Sequence, residues 1–148
     1  MTDKILCVDD DPNILQAYQR ALHKQFPIEA ALGGEEALAA VAHRGPYAVV
    51  VADMRMPGLT GVEVLARIRQ MAPDTVRMML TGNADQQTAL EAVNEGHIFR
   101  FMTKPCPPDA FAKALTAGES TAATDVLGNL SLQSVQATGE AAQSSCKP

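Results

Sequence analysis

No run or stripe of basic residues marks this 148-residue sequence, in which 12 basic side chains stand against 17 acidic ones for a net charge of −5. That balance offers no surface to track a phosphate backbone, and no direct nucleic-acid partner is expected. Long apolar runs are missing as well. Asp3 and Lys4 precede an apolar run of four residues, which lacks the length and flanks of a signal peptide, and nothing approaches a membrane span. The expectation is a cytoplasmic protein with no membrane partner. Cysteine is scarce: Cys7, Cys106 and Cys146 are far apart and odd in number, which excludes a disulfide framework and a zinc-ligand spacing. Cys7 reads as core and the other two as incidental. His23, His43 and His97 form no pair at metal-ligand spacing.

What is present is the composition of one compact soluble domain, 47% hydrophobic and 20% charged. Short runs rich in Val, Ile and Leu alternate with segments whose apolar residues recur every three to four positions, the pattern of βα units around a parallel sheet. "KILCV" (Lys4 to Val8) is the first strand, and Pro12 to Phe26 the first helix, with Ile14, Leu15, Tyr18, Leu22 and Phe26 on one face. Pro12 suits the first turn of that helix. "IEAAL" (Ile28 to Leu32) is a second strand and Glu35 to His43 a short helix. "YAVVVAD" (Tyr47 to Asp53) is an almost continuous apolar run, which places it at the centre of a sheet covered on both faces. Thr60 and Glu63 have the spacing of a capping box for a third helix running towards Ala72-Pro73. "VRMMLTG" (Val76 to Gly82), Gln86 to Asn94, "IFRFMTK" (Ile98 to Lys104) and Asp109 to about Ala117 complete five strand–helix repeats.

Such repeats predict a doubly wound α/β domain over residues 1–117, in which ligands bind at the carboxyl ends of the strands. After Ala117 the sequence is dominated by Ala, Ser, Thr, Gln and Gly, with no aromatic residue. Residues 118–148 therefore read as a disordered or weakly helical tail, with Val126, Leu127, Leu130 and Val135 as its thin apolar line. No separate output domain is expected there.

The stretch "ILCVDDDP" puts three carboxylates in a row directly after an apolar strand. Two unit charges about 4 Å apart repel by roughly 4 kcal/mol at an effective dielectric near 20, so something should offset them. Asp9 and Asp10 end the first strand, Asp53 the third, Thr81 the fourth and Lys104 the fifth. A parallel sheet gathers those ends on one rim, where the carboxylates supply hard oxygen ligands suited to Mg²⁺. Met54, Met56, Met78, Met79 and Met102 read as core filler.

"VDDDP", "VADMRMPGLTGVEVL", "MMLTG" and "FRFMTKP" resemble the signature blocks of the receiver domain of bacterial two-component response regulators, from about Lys4 to Ala117. The resemblance implies a flavodoxin-like five-stranded parallel sheet of order 2-1-3-4-5. It makes Asp53 the phosphoacceptor, Asp9 and Asp10 the acidic pair, Thr81 and Phe101 the switch residues, and Lys104 the lysine of the site. Mg²⁺ is then held by Asp10, Asp53 and the backbone carbonyl of Arg55, with Asp9 acting through water. Arg55 and Asn83 flank the path of attacking water and tune the lifetime of the phosphate. Asp11 is no ligand and caps or precedes the first helix. Lys104-Pro105 is expected to be cis, as in similar receivers.

The implied function is a phosphorylation-dependent switch. A sensor histidine kinase or phosphotransfer protein donates to Asp53, and the surface of the fourth helix, fifth strand and fifth helix changes to control a protein partner. Thr81 moves to the phosphoryl group and Phe101 swings inward. The chain is then no enzyme beyond its own phosphoryl transfer and autodephosphorylation, and phosphorylation-dependent homodimerisation is left open. "AVNEGHIFRFMTKPCPP" is similar to receivers fused to HD-type cyclic-dinucleotide phosphodiesterases, so an alternative is the receiver of a longer regulator whose output domain is absent. A hydrolase with an aspartate nucleophile also uses Asp and Mg²⁺. Its DxD motif follows the first strand, however, whereas the acceptor expected here follows the third.

Overall fold

The computed structural model describes residues 4–95, 98–104 and 106–125. Five parallel strands, β1 (Ile5–Asp9), β2 (Ile28–Leu32), β3 (Val49–Asp53), β4 (Val76–Thr81) and β5 (Arg100–Thr103), form one sheet. Its order is β2-β1-β3-β4-β5, as the resemblance implies. The helices are α1 (Pro12–Leu22), α2 (Gly34–Arg44), α3 (Gly61–Met71), α4 (Gln86–Asn94) and α5 (Pro108–Asp125), and a 3-10 turn over Asn83–Asp85 leads into α4.

Strand alternation divides the core in two. Leu6, Val8, Val50, Ala52, Met79 and Phe101 face a layer that holds Ala37, Val64, Leu65, Ile68 and Ala89 from α2, α3 and α4. Ile5, Cys7, Val49, Val51, Met78, Leu80 and Met102 face the other, with Leu15 and Leu22 of α1 and Phe111, Ala114 and Leu115 of α5. The central strands are thus apolar on both faces, which is why β1 and β3 read as unbroken apolar runs. Burying one such Val, Leu, Met or Phe side chain contributes about 1.5–3 kcal/mol. All five methionines read as filler, Met54, Met56, Met78, Met79 and Met102, are buried.

Local signals set most boundaries. Asp11 caps α1, its carboxylate accepting from the Asn13 amide at 2.9 Å, and Pro12 occupies the first turn. The capping box of α3 is complete: Thr60 Oγ1 accepts from the Glu63 amide at 3.3 Å, and Glu63 Oε1 accepts from the Thr60 amide at 2.9 Å.

Two helix ends differ from the sequence reading by more than one residue. α1 stops at Leu22 rather than Phe26, and the amides of Gln25 and Phe26 turn back onto the Leu22 carbonyl at 2.9 and 3.0 Å. Pro27 disfavours helical backbone at Phe26, whose ring is buried without being helical. α5 continues to Asp125, past the Ala117 limit. Gly118, which weakens a helix by itself, lies against the sheet, where an added Cβ would come within 3.2 Å of Met78 Sδ and Val49 Cγ2. Close packing there outweighs propensity. The apolar line from Val126 onward and the Lys104-Pro105 bond lie outside the described residues; the cis peptide bond that is described joins Gly45 to Pro46.

Gly61 opens α3 directly over the end of β3, and a Cβ at this position would sit 2.3 Å from the backbone oxygen of Asp53. Gly61→Ala should therefore lower stability by about 1–3 kcal/mol, as overpacking against backbone does. Urea denaturation checks it, and a loss under about 0.5 kcal/mol would contradict the close approach.

Candidate functional site

The register of β1 against β3, with Cys7 opposite Val51 and Val8 opposite Ala52, brings the last residue of each strand, Asp9 and Asp53, side by side. Asp10 follows at the start of the next loop. One carboxylate oxygen from each of Asp9, Asp10 and Asp53 lies within 4.8 Å of the others. Asp9 and Asp53 are each 3% exposed, while Asp10 is open to solvent.

Lys104 pairs its ammonium with Asp53 Oδ1. Its position follows from the β4–β5 ladder, in which the Lys104 amide donates to the Thr81 carbonyl at 2.8 Å. Thr81 is fully buried, and its hydroxyl donates to the Gly82 carbonyl at 3.1 Å. Met54 is held by its amide on the Leu80 carbonyl at 2.8 Å, which fixes the exit of β3 beside that of β4.

The electrostatics follow from this crowding. Burial pushes the Asp9 carboxyl up to about 6, and the charge of Asp53 adds to that, against the Asp11 amide and the more distant Lys104. Burial also raises Asp53; its contact with Lys104 opposes the rise and Asp10 reinforces it. Asp9 Oδ1 accepts from the Asp11 amide at 3.0 Å. Asp9 Oδ2 is buried with no hydrogen-bond partner among the described residues. A buried carboxylate oxygen of that kind is costly, and three converging carboxylates are the hard donor set that a small divalent cation takes. The residues present therefore fit Mg²⁺.

Other expected residues take definite places. Arg55 makes a bidentate ion pair with Asp85, Nε to Oδ2 at 2.6 Å and Nη2 to Oδ1 at 2.9 Å, and the guanidinium holds the Asp85 carboxyl below the usual carboxylate range. Asp85 did not stand out in the sequence, since its partner lies 30 positions away and no local pattern links them. Asn83 begins the 3-10 turn. Phe101 is only 7% exposed and already belongs to the inner cluster with Ala89 and Ile98. The outward ring from which an inward swing would start is therefore not the arrangement seen.

Cys7 is core as expected, its thiol pushed up to about 12 by burial. Cys106, read as incidental, is buried too. Its carbonyl accepts from the Tyr18 hydroxyl at 3.2 Å, and with Ile14, Tyr18, Leu80 and Lys104 it lines an apolar cavity of about 540 Å³. Contact between α1 and the segment leading into α5 buries it, and distant segments in contact leave no local periodicity.

The sequence profile of the response regulator receiver domain matches residues 5–116. The chain belongs to that family. The receiver is 38% identical over 112 residues to the hydrogenase transcriptional regulatory protein HoxA of Cupriavidus necator, an alignment covering 74% of this chain and 23% of HoxA. It thus spans about a quarter of the length of the curated relatives it matches. Among solved structures, adenylate cyclase from Rhodopirellula baltica superposes with a TM-score of 0.83 at 40% identity, over 90% of this chain and 98% of that one. The signal receiver domain of an HD domain-containing protein from Pseudomonas fluorescens Pf-5 superposes with a TM-score of 0.76 at 30% identity, over 84% of this chain and 99% of that one. Similarity to a receiver of the HD type is therefore present, as the sequence suggested. Among the described residues, no helix is long and apolar enough to cross a membrane.

The raised Asp9 carboxyl has a consequence for the metal-free receiver. Its folded-state value of about 6 exceeds the usual value near 4, so the folded state binds the proton more tightly, and the penalty develops as pH rises between those values. Metal-free protein should be about 1 kcal/mol more stable near pH 5 than near pH 7.5 from this group. Asp9→Asn should flatten that difference and raise the urea midpoint near pH 7.5; an unchanged pH profile in the variant would place the penalty elsewhere.

Proposed function

We propose that this receiver takes a phosphoryl group onto Asp53 from the phosphohistidine of a sensor histidine kinase or phosphotransfer protein, and relays the change to a protein partner through α4, β5 and α5. The observation that carries the reading is the buried Asp53 carboxylate, with the Lys104 ammonium on one oxygen and Asp9 and Asp10 beside it. In this reading an Asp53 oxygen attacks phosphorus, the phosphorus–nitrogen bond to the donor imidazole breaks, and the imidazole leaves. Such transfer depends on in-line positioning and on neutralising charge rather than on a strong base.

Mg²⁺ would be held by Asp10, Asp53 and the backbone carbonyl of Arg55, with Asp9 acting through water; when bound it offsets the charge of the carboxylates and of the incoming group. Lys104 turns from Asp53 to the phosphoryl oxygens, keeping a charge-assisted hydrogen bond in both states. Thr81 exchanges its bond to the Gly82 carbonyl for one to the phosphoryl group. Because its carbonyl is locked to the amide of Lys104, the residue that follows β5, that exchange is felt at the start of α4 and at β5, beside Phe101. Arg55 and Asn83 border the approach of water and set the lifetime of the phosphate. Beyond its own phosphorylation and dephosphorylation the chain turns over no substrate.

The greater length of the curated relatives favours a second reading, in which the receiver acts within a longer regulator. The output is then a domain of that longer regulator, and similarity to the receiver of an HD domain-containing protein makes a cyclic-dinucleotide phosphodiesterase one form it could take.

Two substitutions separate the roles. Asp53→Ala should abolish labelling by a small phosphodonor with Mg²⁺, detected as loss of the phosphoryl mass increment, and labelling at undiminished stoichiometry would move the acceptor to another residue. Lys104→Ala should leave Mg²⁺ affinity within about threefold while impairing switching, because the ammonium meets the phosphoryl group and not the ion. Loss of Mg²⁺ binding in a titration would refute that role.

A further inference from the structure

Arg55 and Asp85 join the two loops that carry the acceptor and the switch hydroxyl. Arg55 lies two residues after Asp53, and Asp85 four residues after Thr81, at the end of the 3-10 turn leading into α4. Two guanidinium nitrogens each donate to one carboxylate oxygen, at 2.6 and 2.9 Å, a fork that fixes direction as well as distance. The Asp85 side chain is 18% exposed and that of Arg55 77%, so the acid is set into the turn while the base reaches over from outside.

Two features show why this pair matters to switching. The Thr81 hydroxyl is bonded to the carbonyl of its own neighbour, Gly82, although the Phe101 ring already lies inside. Burial of the aromatic ring is therefore not what decides where that hydroxyl points. Beyond the strand ladder, the Arg55–Asp85 fork ties the turn after Thr81 to the loop after Asp53.

We infer that this fork is a latch for the resting state, with Asp85 a positioning residue that acts through Arg55; the inference rests on the receiver reading above. A phosphoryl group on Asp53 brings negative charge two residues from Arg55 and gives the guanidinium a second anion. The event that recruits Thr81 thus also weakens the hold on Asp85, and the turn is freed to follow the hydroxyl. An ion pair this open to solvent contributes little, so the latch biases the equilibrium and does not lock it.

The test is the affinity of the full chain for beryllofluoride in saturating Mg²⁺, followed by amide NMR, in wild type, Asp85→Asn, Asp85→Glu, Arg55→Gln and the Asp85→Asn, Arg55→Gln double variant. Asp85→Asn should tighten binding by about two- to fivefold, and Asp85→Glu, which retains the charge, should stay near wild type. In the Arg55→Gln background Asp85→Asn should have no further effect. Equal tightening in both backgrounds would mean that Asp85 acts only as a nearby charge, and no tightening in either would mean that the fork does not oppose switching; both overturn the latch. A wild-type chain that fails to respond to beryllofluoride at all would instead remove the reading of Asp53 as phosphoacceptor, and the latch with it.

Discussion

Two carboxylates buried side by side are the constraint around which this domain is arranged. Asp9 and Asp53 meet because β1 and β3 are adjacent and parallel with their last residues level, and a shift of one residue in either strand would turn a carboxylate into the other core layer. Both are almost closed off from solvent, and the cation paired with Asp53 comes from the end of β5, two strands away. Fold and site are thus coupled through register: the apolar residues that fix the strands also fix the distances between charges.

The apolar layers supply the stability that such a site consumes. Val49, Val50 and Val51 are buried in alternation on the two faces, and Phe111, Leu115 and Gly118 clamp α5 against the face that carries Val49 and Met78. Burial raises Asp9 and Asp53 together, and the Lys104 ammonium on Asp53 works against that rise. The proteins this chain resembles range from a hydrogenase transcriptional regulator to an adenylate cyclase. The chemistry of the pocket and the identity of the output are separate properties, and the latter is not written in the sheet.

Much of this was legible in one dimension. The apolar runs ending in Asp9, Asp53 and Thr81 carry both the strand signal and the site residues, because a parallel sheet places every strand end on one rim. Asp11, Pro12, Thr60 and Glu63 announce helix starts by chemistry that operates within three residues. Less legible were features that depend on contact between distant segments. α5 passes Gly118 because the sheet offers a surface that only a residue without a side chain can approach, and Phe26 is buried in a turn, where apolar periodicity looks helical.

The sequence by itself determined the alternation of strands and helices, the caps, the two-faced core and the set of acids, hydroxyl and lysine, since each depends on neighbours within a few positions. Only the tertiary structure decided which of those groups touch: Lys104 on Asp53, Arg55 on Asp85, the Thr81 hydroxyl on Gly82 rather than on Asp53, and Phe101 and Cys106 inside. The reason is that charge pairing and burial are set by distance in space, and a crossover of a whole helix separates each strand end from the next along the chain.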